Sequence, residues 1–216
     1  MNAVAPRLAT LPAGLPRETI GALADVSLRN EMVSLGPILP DDVGPVFLWL
    51  NDAQAARLDL AFRPLDWASY MAWLADLAKN PSRVFFVVRD ALEPRLLGFL
   101  TLSSIHPVHR SAELGIRIGG EAQRGRGLGK AALRLGLSYA FDHLNLNRVQ
   151  LTVFADNTRA IRAYEAVGFE HEGRMRHAAF IDGQWTDVLV MAALRPGSKP
   201  TLVASGGQIL EPAGRA

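Results

Sequence analysis

Residues 123–132 read Gln-Arg-Gly-Arg-Gly-Leu-Gly-Lys-Ala-Ala, between an apolar strand pattern and an amphipathic helix pattern. Glycines there let the backbone turn tightly and aim successive N–H groups outward, and the positive end of the helix dipole adds to them. The segment therefore suits a phosphate or pyrophosphate. It also reads as no more than a turn at a helix entrance. A Walker A loop ending on Gly129-Lys130 needs glycine at 124 and Ser or Thr at 131, and the chain has Arg124 and Ala131, so that motif fails. A dinucleotide fingerprint, Gly127-x-Gly129-x-x-Ala132 with Asp156, fits loosely. Against it, the strand pattern ends near Gly119 and strand–helix alternation stops after one more helix. His106-Pro107-Val108-His109 has the spacing of a metal pair, but Pro107 argues for a loop and no third ligand follows, so no metal is expected.

The elements that must carry these residues follow from periodicity. Met32–Leu35 reads as a short strand, and Pro40-Asp41-Asp42 opens a helix to about Asn51 with acidic residues at its positive end. Asp66 can cap a second helix, in which Tyr70, Trp73, Leu74 and Leu77 fall at helical spacing. Arg83–Arg89, Leu96–Ile105 and Ala112–Ile118 are strands, the first two joined by a turn with Pro94. A helix over 127–144 follows, with Leu133, Leu137 and Phe141 on one face, then a strand at Arg148–Phe154 and a helix at Thr158–Val167. Strands at Phe169–Ile181 and Trp185–Leu194 close around Asp182-Gly183, a hairpin pair. Three consecutive strands and a closing hairpin exclude a doubly wound sheet and predict a mixed α/β sheet.

The 216 residues are 49% hydrophobic and 20% charged, a globular composition long enough for one decorated domain. No apolar run reaches the roughly 18 residues of a membrane span. Pro6, Pro12 and Pro16 interrupt any secretory h-region, so a cytoplasmic protein is expected. Zero cysteines exclude disulfides, thiolate nucleophiles and zinc fingers. A net charge of +2 gives little support for nucleic-acid binding, although residues 124–176 carry a net +4, which suits a small polyanion. Residues 1–29 and 196–216, rich in Ala, Pro and Gly without periodicity, read as flexible extensions of a single domain at 30–195.

Arg124-x-x-Gly127-x-Gly129 resembles the acetyl-CoA motif of the GCN5-related N-acetyltransferases, the GNAT superfamily. Glu113-Leu114-Gly115-Ile116-Arg117-Ile118 before it resembles that family's preceding strand. Asn157-x-x-Ala160-Ile161-x-x-Tyr164-Glu165-x-x-Gly168-Phe169 after it resembles the family's downstream helix and strand. Glu172-Gly173-x-x-Arg176-x-x-x-Phe180-x-x-Gly183, with Asp187 and Met191, is similar to a branch holding ribosomal-protein N-terminal, polyamine and amino-sugar acetyltransferases. The resemblance implies the GNAT fold, a mixed and mostly antiparallel central sheet flanked by helices. It also implies acetyl transfer from acetyl-CoA, as cosubstrate, to a primary amine of a small molecule or a protein N-terminus. The sequence leaves the acceptor and the oligomeric state open, a homodimer included.

By that resemblance, the backbone of Arg124, Gly125, Arg126, Gly127, Leu128, Gly129 and Lys130 holds the CoA pyrophosphate. Leu114, Ile116 and Ile118 pair with the pantetheine arm, and an N–H near Ile116 polarises the thioester carbonyl. Asn157 contacts the cofactor and Tyr164 protonates the departing thiolate, although Asn157 also reads as a helix cap and Tyr164 as a core ring. An alkyl amine arrives protonated at neutral pH, and Glu113 can take its proton directly or through water. Glu113 also reads as a solvated carboxylate at a strand end. Trp49, Phe62, Tyr70 and Trp73 read either as an acceptor pocket or as core, and His177 as an acceptor-cleft or surface residue. From a different class, the chain reads as a non-catalytic acetyl-CoA binding module.

Overall fold

The computed structural model describes residues 28–56, 63–93, 95–119, 125–197, 202–203 and 209–210. Strand β1 (Leu28–Arg29) pairs with β2 (Val33–Gly36). A 3-10 turn, Pro40–Asp42, leads into α1 (Val43–Leu50), then a single turn α2 (Ala53–Ala56) and α3 (Trp67–Leu77). Strands β3 (Val84–Asp90), β4 (Leu96–His106) and β5 (Ser111–Ile118) make an antiparallel meander. Helix α4 (Leu128–Ser138) ends in a π-helical turn, Tyr139–His143. Then come β6 (Arg148–Phe154), α5 (Thr158–Glu165) and the hairpin β7 (Glu170–Ile181) with β8 (Gln184–Leu194).

Among the described residues the main sheet has eight strands in the order β1-β2-β3-β4-β5-β6-β8-β7, and only β5 and β6 run parallel. This is the mixed, mostly antiparallel sheet that the sequence implies. The structure adds β1, α2 and the 3-10 turn to the expected order, and the helix expected over 127–144 changes to π geometry after Ser138. Leu28 and Arg29, assigned to the N-terminal extension by composition, join the sheet. Residues 1–27 of that extension lie outside the described residues. Within 196–216, β9 (Leu202–Val203) pairs with β10 (Ile209–Leu210).

Alternation divides the sheet into two faces. Ala112 and Leu114 of β5 and Val149, Leu151 and Val153 of β6 join Leu133 and Leu137 of α4 and Phe141 of the π-helical turn in one buried cluster. The α4 backbone lies close to β4, since a Cβ on Gly136 would stand 2.7 Å from Leu100 Cδ1. Below the opposite face runs a chain of ring contacts, Phe47–Trp67–Tyr70–Trp73–Phe85–Phe99. Tyr70 is fully buried within it and donates to the Val43 carbonyl at 2.9 Å. Burial pushes its phenol up to about 12. Tyr70 is therefore a core residue, Trp73 is half-buried against it, and Phe62 lies outside the described residues.

The expected cap Asp66 is present, its Oδ1 accepting from Ser69 N–H at 2.9 Å. Asp42, expected at the positive end of a helix, also turns inward. It pairs with Arg89 of β3 and accepts the Leu39 N–H at 2.7 Å, while Arg89 also donates to the Pro37 carbonyl. Burial pushes the Asp42 carboxyl above its usual range, with the Leu39 N–H and Arg89 opposing. Nothing in the local sequence distinguishes Asp42 from Asp41; its partner is 47 residues away.

Asn51 closes the segment between α1 and α3. Its Oδ1 accepts from Leu65 N–H at 2.8 Å, and its Nδ2 donates to the carbonyls of Phe47 and Leu65, both at 3.1 Å. Asn51→Ala is expected to cost about 1–2 kcal/mol in urea unfolding, since part-buried backbone groups lose their partners.

Candidate active site

The Gly119 N–H donates to the Leu97 carbonyl at 2.8 Å, continuing the β4–β5 register. In an antiparallel ladder hydrogen-bonded residues alternate. Odd-numbered residues of β5 therefore bond β4, while Leu114, Ile116 and Ile118 turn their N–H and C=O groups the other way, toward β6. But β6 pairs with β5 only from Ser111↔Arg148 to Glu113↔Gln150 and then separates. Ile116 and Ile118 thus present main-chain groups to the gap between two parallel strands.

At the end of that gap stands the start of α4. Its N-cap, Gly127, has φ +79°, and Gly125 has φ +74°, both in the left-handed region where a side chain is strained. The first bond into the helix runs from Ala131 N–H to Gly127 C=O (3.0 Å), so the N–H groups of Leu128, Gly129 and Lys130 precede any intrahelical acceptor, and no side chain caps them. A Cβ on Gly125 would meet nothing within 4 Å, and one on Gly127 only Met32 Cε at 3.5 Å, so the space in front of this turn is open. Arg126 lies near enough to Asp90 to help depress that carboxyl, after the larger contribution of the Leu92 N–H. Arg124 lies outside the described residues.

Across the gap, Asn157 caps α5, its Oδ1 accepting from Ala160 N–H at 3.2 Å. The capping reading of Asn157 is therefore met, and the residue also faces the cleft. Tyr164 stands two turns further along the same helix face. Its ring packs edge-on against Phe169, centroids 5.7 Å apart, so it joins the core and lines the cleft at once. Glu113 is exposed at the point where β5 and β6 part, and its Oε1 accepts from Gln150 Nε2 at 3.4 Å.

One cavity of about 1410 Å3 joins these parts. It takes in the α4 entrance, α5 with Asn157 and Tyr164, and the cleft-facing strands. On the α1 face it takes in Trp49, Asp52, Thr101, Glu113 and Gln150. The structure thus brings together every residue predicted to bind the cofactor or to act in catalysis except Arg124 and Arg126, the latter flanking the cavity between Gly125 and Gly127; of the residues offered for the acceptor pocket, it brings only Trp49. Trp49 proves to be wall rather than core: a Cβ on Gly119 would stand 2.7 Å from its indole, so that glycine makes room for the ring. Sequence reasoning passed over Arg117, whose Nη1 donates to the Trp49 carbonyl at 2.6 Å while its guanidinium lies 5.7 Å from the Phe99 ring centroid. Its odd position in β5, opposite the α4-facing residues, was the available signal.

His177 has φ +48° in an irregular stretch of β7, its N–H donating to Asp187 Oδ1 at 2.7 Å. With Arg176 and Asp187 it lines a separate cavity, so the surface reading of His177 holds. The rings of His106 and His109 stack at 4.1 Å, and His109 N–H donates to His106 Nδ1. Among the described residues no group of three or more His, Cys, Asp or Glu side chains is gathered as for a metal. Among them, too, no helix is long and apolar enough to cross a membrane.

Two parallel strands thus separate beside a helix start whose N-cap is a left-handed glycine. The chain belongs to the GNAT acetyltransferase family, whose domain model matches residues 33–170. It is 39% identical over 110 residues to a spermidine N(1)-acetyltransferase of Vibrio cholerae, covering 51% of this chain and 62% of that one. It is 33% identical over 100 residues to a putative ribosomal N-acetyltransferase, YdaF, of Bacillus subtilis, covering 46% and 54%. The matches thus span between half and two thirds of the length of these curated relatives. A solved structure of the Vibrio cholerae spermidine N-acetyltransferase in complex with CoA and spermine superposes with a TM-score of 0.69 at 28% identity, covering 76% of this chain and 96% of that one.

Proposed function

We propose that the chain is an N-acetyltransferase that moves the acetyl group of acetyl-CoA to a primary amine of a polyamine, an amino sugar or a protein N-terminus. The observation that carries this reading is the placement of Ile116, the α4 entrance, Tyr164 and Glu113 around one cavity. The diphosphate of the donor meets the N–H groups of Leu128, Gly129 and Lys130, where the helix dipole favours anions. The pantetheine arm lies along Leu114, Ile116 and Ile118 as a strand would, and Asn157 lies beside it. The acceptor enters from the α1 face, where the carboxylates of Asp52 and Glu113 suit a cation.

Glu113 first takes a proton from the arriving ammonium, directly or through water. The neutral nitrogen then attacks the thioester carbonyl carbon, and its second proton, lost once the N–C bond has formed, replaces the one that Tyr164 gives up. The Ile116 N–H holds the developing oxyanion, a contribution of about 3 kcal/mol for one such donor. As the C–S bond breaks, the sulfur takes its proton from the Tyr164 hydroxyl. A binding module without turnover would need neither Tyr164 nor Glu113 on the cavity wall, which favours the enzyme. The same reading takes residues 30–195 as the acetyltransferase domain, working in the cytoplasm. Release of free thiol from acetyl-CoA across spermidine, amino sugars, amino acids and an Ala-N-terminal peptide tests it; release above the no-acceptor rate is expected with at least one, and none with any would leave only the binding module.

Glu113→Gln keeps shape and hydrogen bonding but removes the base. An alkyl ammonium has a pKa of about 10, so at neutral pH nearly all acceptor arrives protonated. The variant is expected to lose kcat/KM at pH 7 by about tenfold or more, with the deficit shrinking as pH rises toward the amine's pKa. Parallel rate profiles from about pH 6 to 9.5 would make a water chain the better account.

A further inference from the structure

Glu113 and Gln150 form the last rung of the β5–β6 ladder before the strands part. Gln150 Nε2 donates to Glu113 Oε1 across that rung at 3.4 Å. The direction of this amide is set from behind. Arg148 Nε and Nη2 both reach Gln150 Oε1, at 3.3 and 3.2 Å. A guanidinium can only donate, so the amide oxygen must face Arg148 and the nitrogen must face Glu113.

Arg148 is itself held. Its Nη1 and Nη2 donate to Glu172 Oε1 and Oε2 at 2.6 and 2.5 Å, the two-pronged contact that fixes a guanidinium plane. The contact holds the Glu172 carboxyl below its usual range. Glu172 sits where the β7–β8 register shifts between His171 and Gly173, a bulge of the kind that re-aims a side chain. On β8, Ala192 lies opposite both Gln150 and Glu170, so the Arg148–Glu172 contact spans β8 from β6 to β7.

We infer that Glu172, Arg148 and Gln150 form a positioning relay that holds the Glu113 carboxylate in one orientation at the parting of the strands. The inference rests on the reading of Glu113 as the base. Glu113 is an exposed side chain with several staggered rotamers open to it, and most of them would carry its oxygens away from the acceptor. A donor on a rigid strand, directed in turn by a clamped arginine, removes that freedom before the acceptor arrives. The relay also gives a task to Glu172, a residue of the branch motif that the transfer chemistry itself does not use.

Two measurements on the full chain test it. Gln150→Leu is expected to lower kcat by about tenfold with the best acceptor from the thiol-release panel, leaving the melting temperature and KM for acetyl-CoA within twofold or a few degrees of the parent. In a Glu113→Gln background the same substitution should change kcat by less than about twofold, because no base is left to orient. Multiplying losses would overturn the relay. A crystal structure of Arg148→Met needs no turnover: the Gln150 amide is expected to turn and Glu113 to occupy more than one rotamer, and an unmoved Glu113 would overturn the relay. A Glu113→Gln variant as active as the parent would remove the base assignment instead, with the rotamers still deciding the relay.

Discussion

Tyr164→Phe is expected to lower kcat by about a hundredfold to ten-thousandfold, the usual contribution of a positioned general acid. The substitution keeps the ring that packs against Phe169 and removes only the hydroxyl of a residue that lines the cleft, so fold and donor binding should survive. The loss should therefore fall on kcat, with the dissociation constant for acetyl-CoA changed by less than about threefold, because the interaction forms only as the thiolate departs. Stopped-flow and steady-state thiol release on the same preparation separate chemistry from product release. A kcat loss below about threefold, with chemistry rate-limiting, would return Tyr164 to a packing role.

Gly127→Val is expected to weaken acetyl-CoA binding by more than about a hundredfold by calorimetry, with a smaller loss of stability. Two effects combine. The residue has φ +79°, where a β-branched side chain costs roughly 1–2 kcal/mol or forces the turn to rearrange. A branched side chain at the residue that immediately precedes the N–H groups of Leu128, Gly129 and Lys130 also adds bulk beside a diphosphate bound there, its Cβ meeting only Met32 Cε at 3.5 Å. Gly127→Ala should show the backbone cost with less of the obstruction. Valine binding acetyl-CoA as tightly as the parent would move the diphosphate elsewhere.

How much of this was legible in the sequence depended on the range of the interaction. Elements fixed by local chemistry were readable: Asp66 caps its helix, Asp182-Gly183 turns its hairpin with both residues at positive φ, and Leu133, Leu137 and Phe141 bury one helix face. The change to π geometry after Ser138 carried no local mark. The inward turn of Asp42 depends on Arg89, and the bond from Gln150 to Glu113 depends on the β5–β6 register, so neither spacing nor propensity reveals it. The aromatic residues divided for the same reason, Tyr70 into the core and Trp49 onto the cleft wall, since helical spacing does not say which neighbour a face will meet. Within the site, the glycine turn and the alternation of β5 were legible. The resemblance also implied a cleft between diverging strands at Leu114–Ile118 and Arg148–Phe154; that β6 leaves β5 just after Glu113 carried no local mark, because the point of departure is a property of two strands 37 residues apart.

A crystal structure of the chain with acetyl-CoA tests the central claim most directly. The donor is expected in the gap between β5 and β6, its thioester oxygen accepting from the Ile116 N–H at about 3 Å and its sulfur within hydrogen-bond reach of the Tyr164 hydroxyl. Its diphosphate should lie against the N–H groups of Leu128, Gly129 and Lys130. A donor bound outside that gap, or one whose sulfur points away from Tyr164 while the diphosphate sits at α4, would contradict the account.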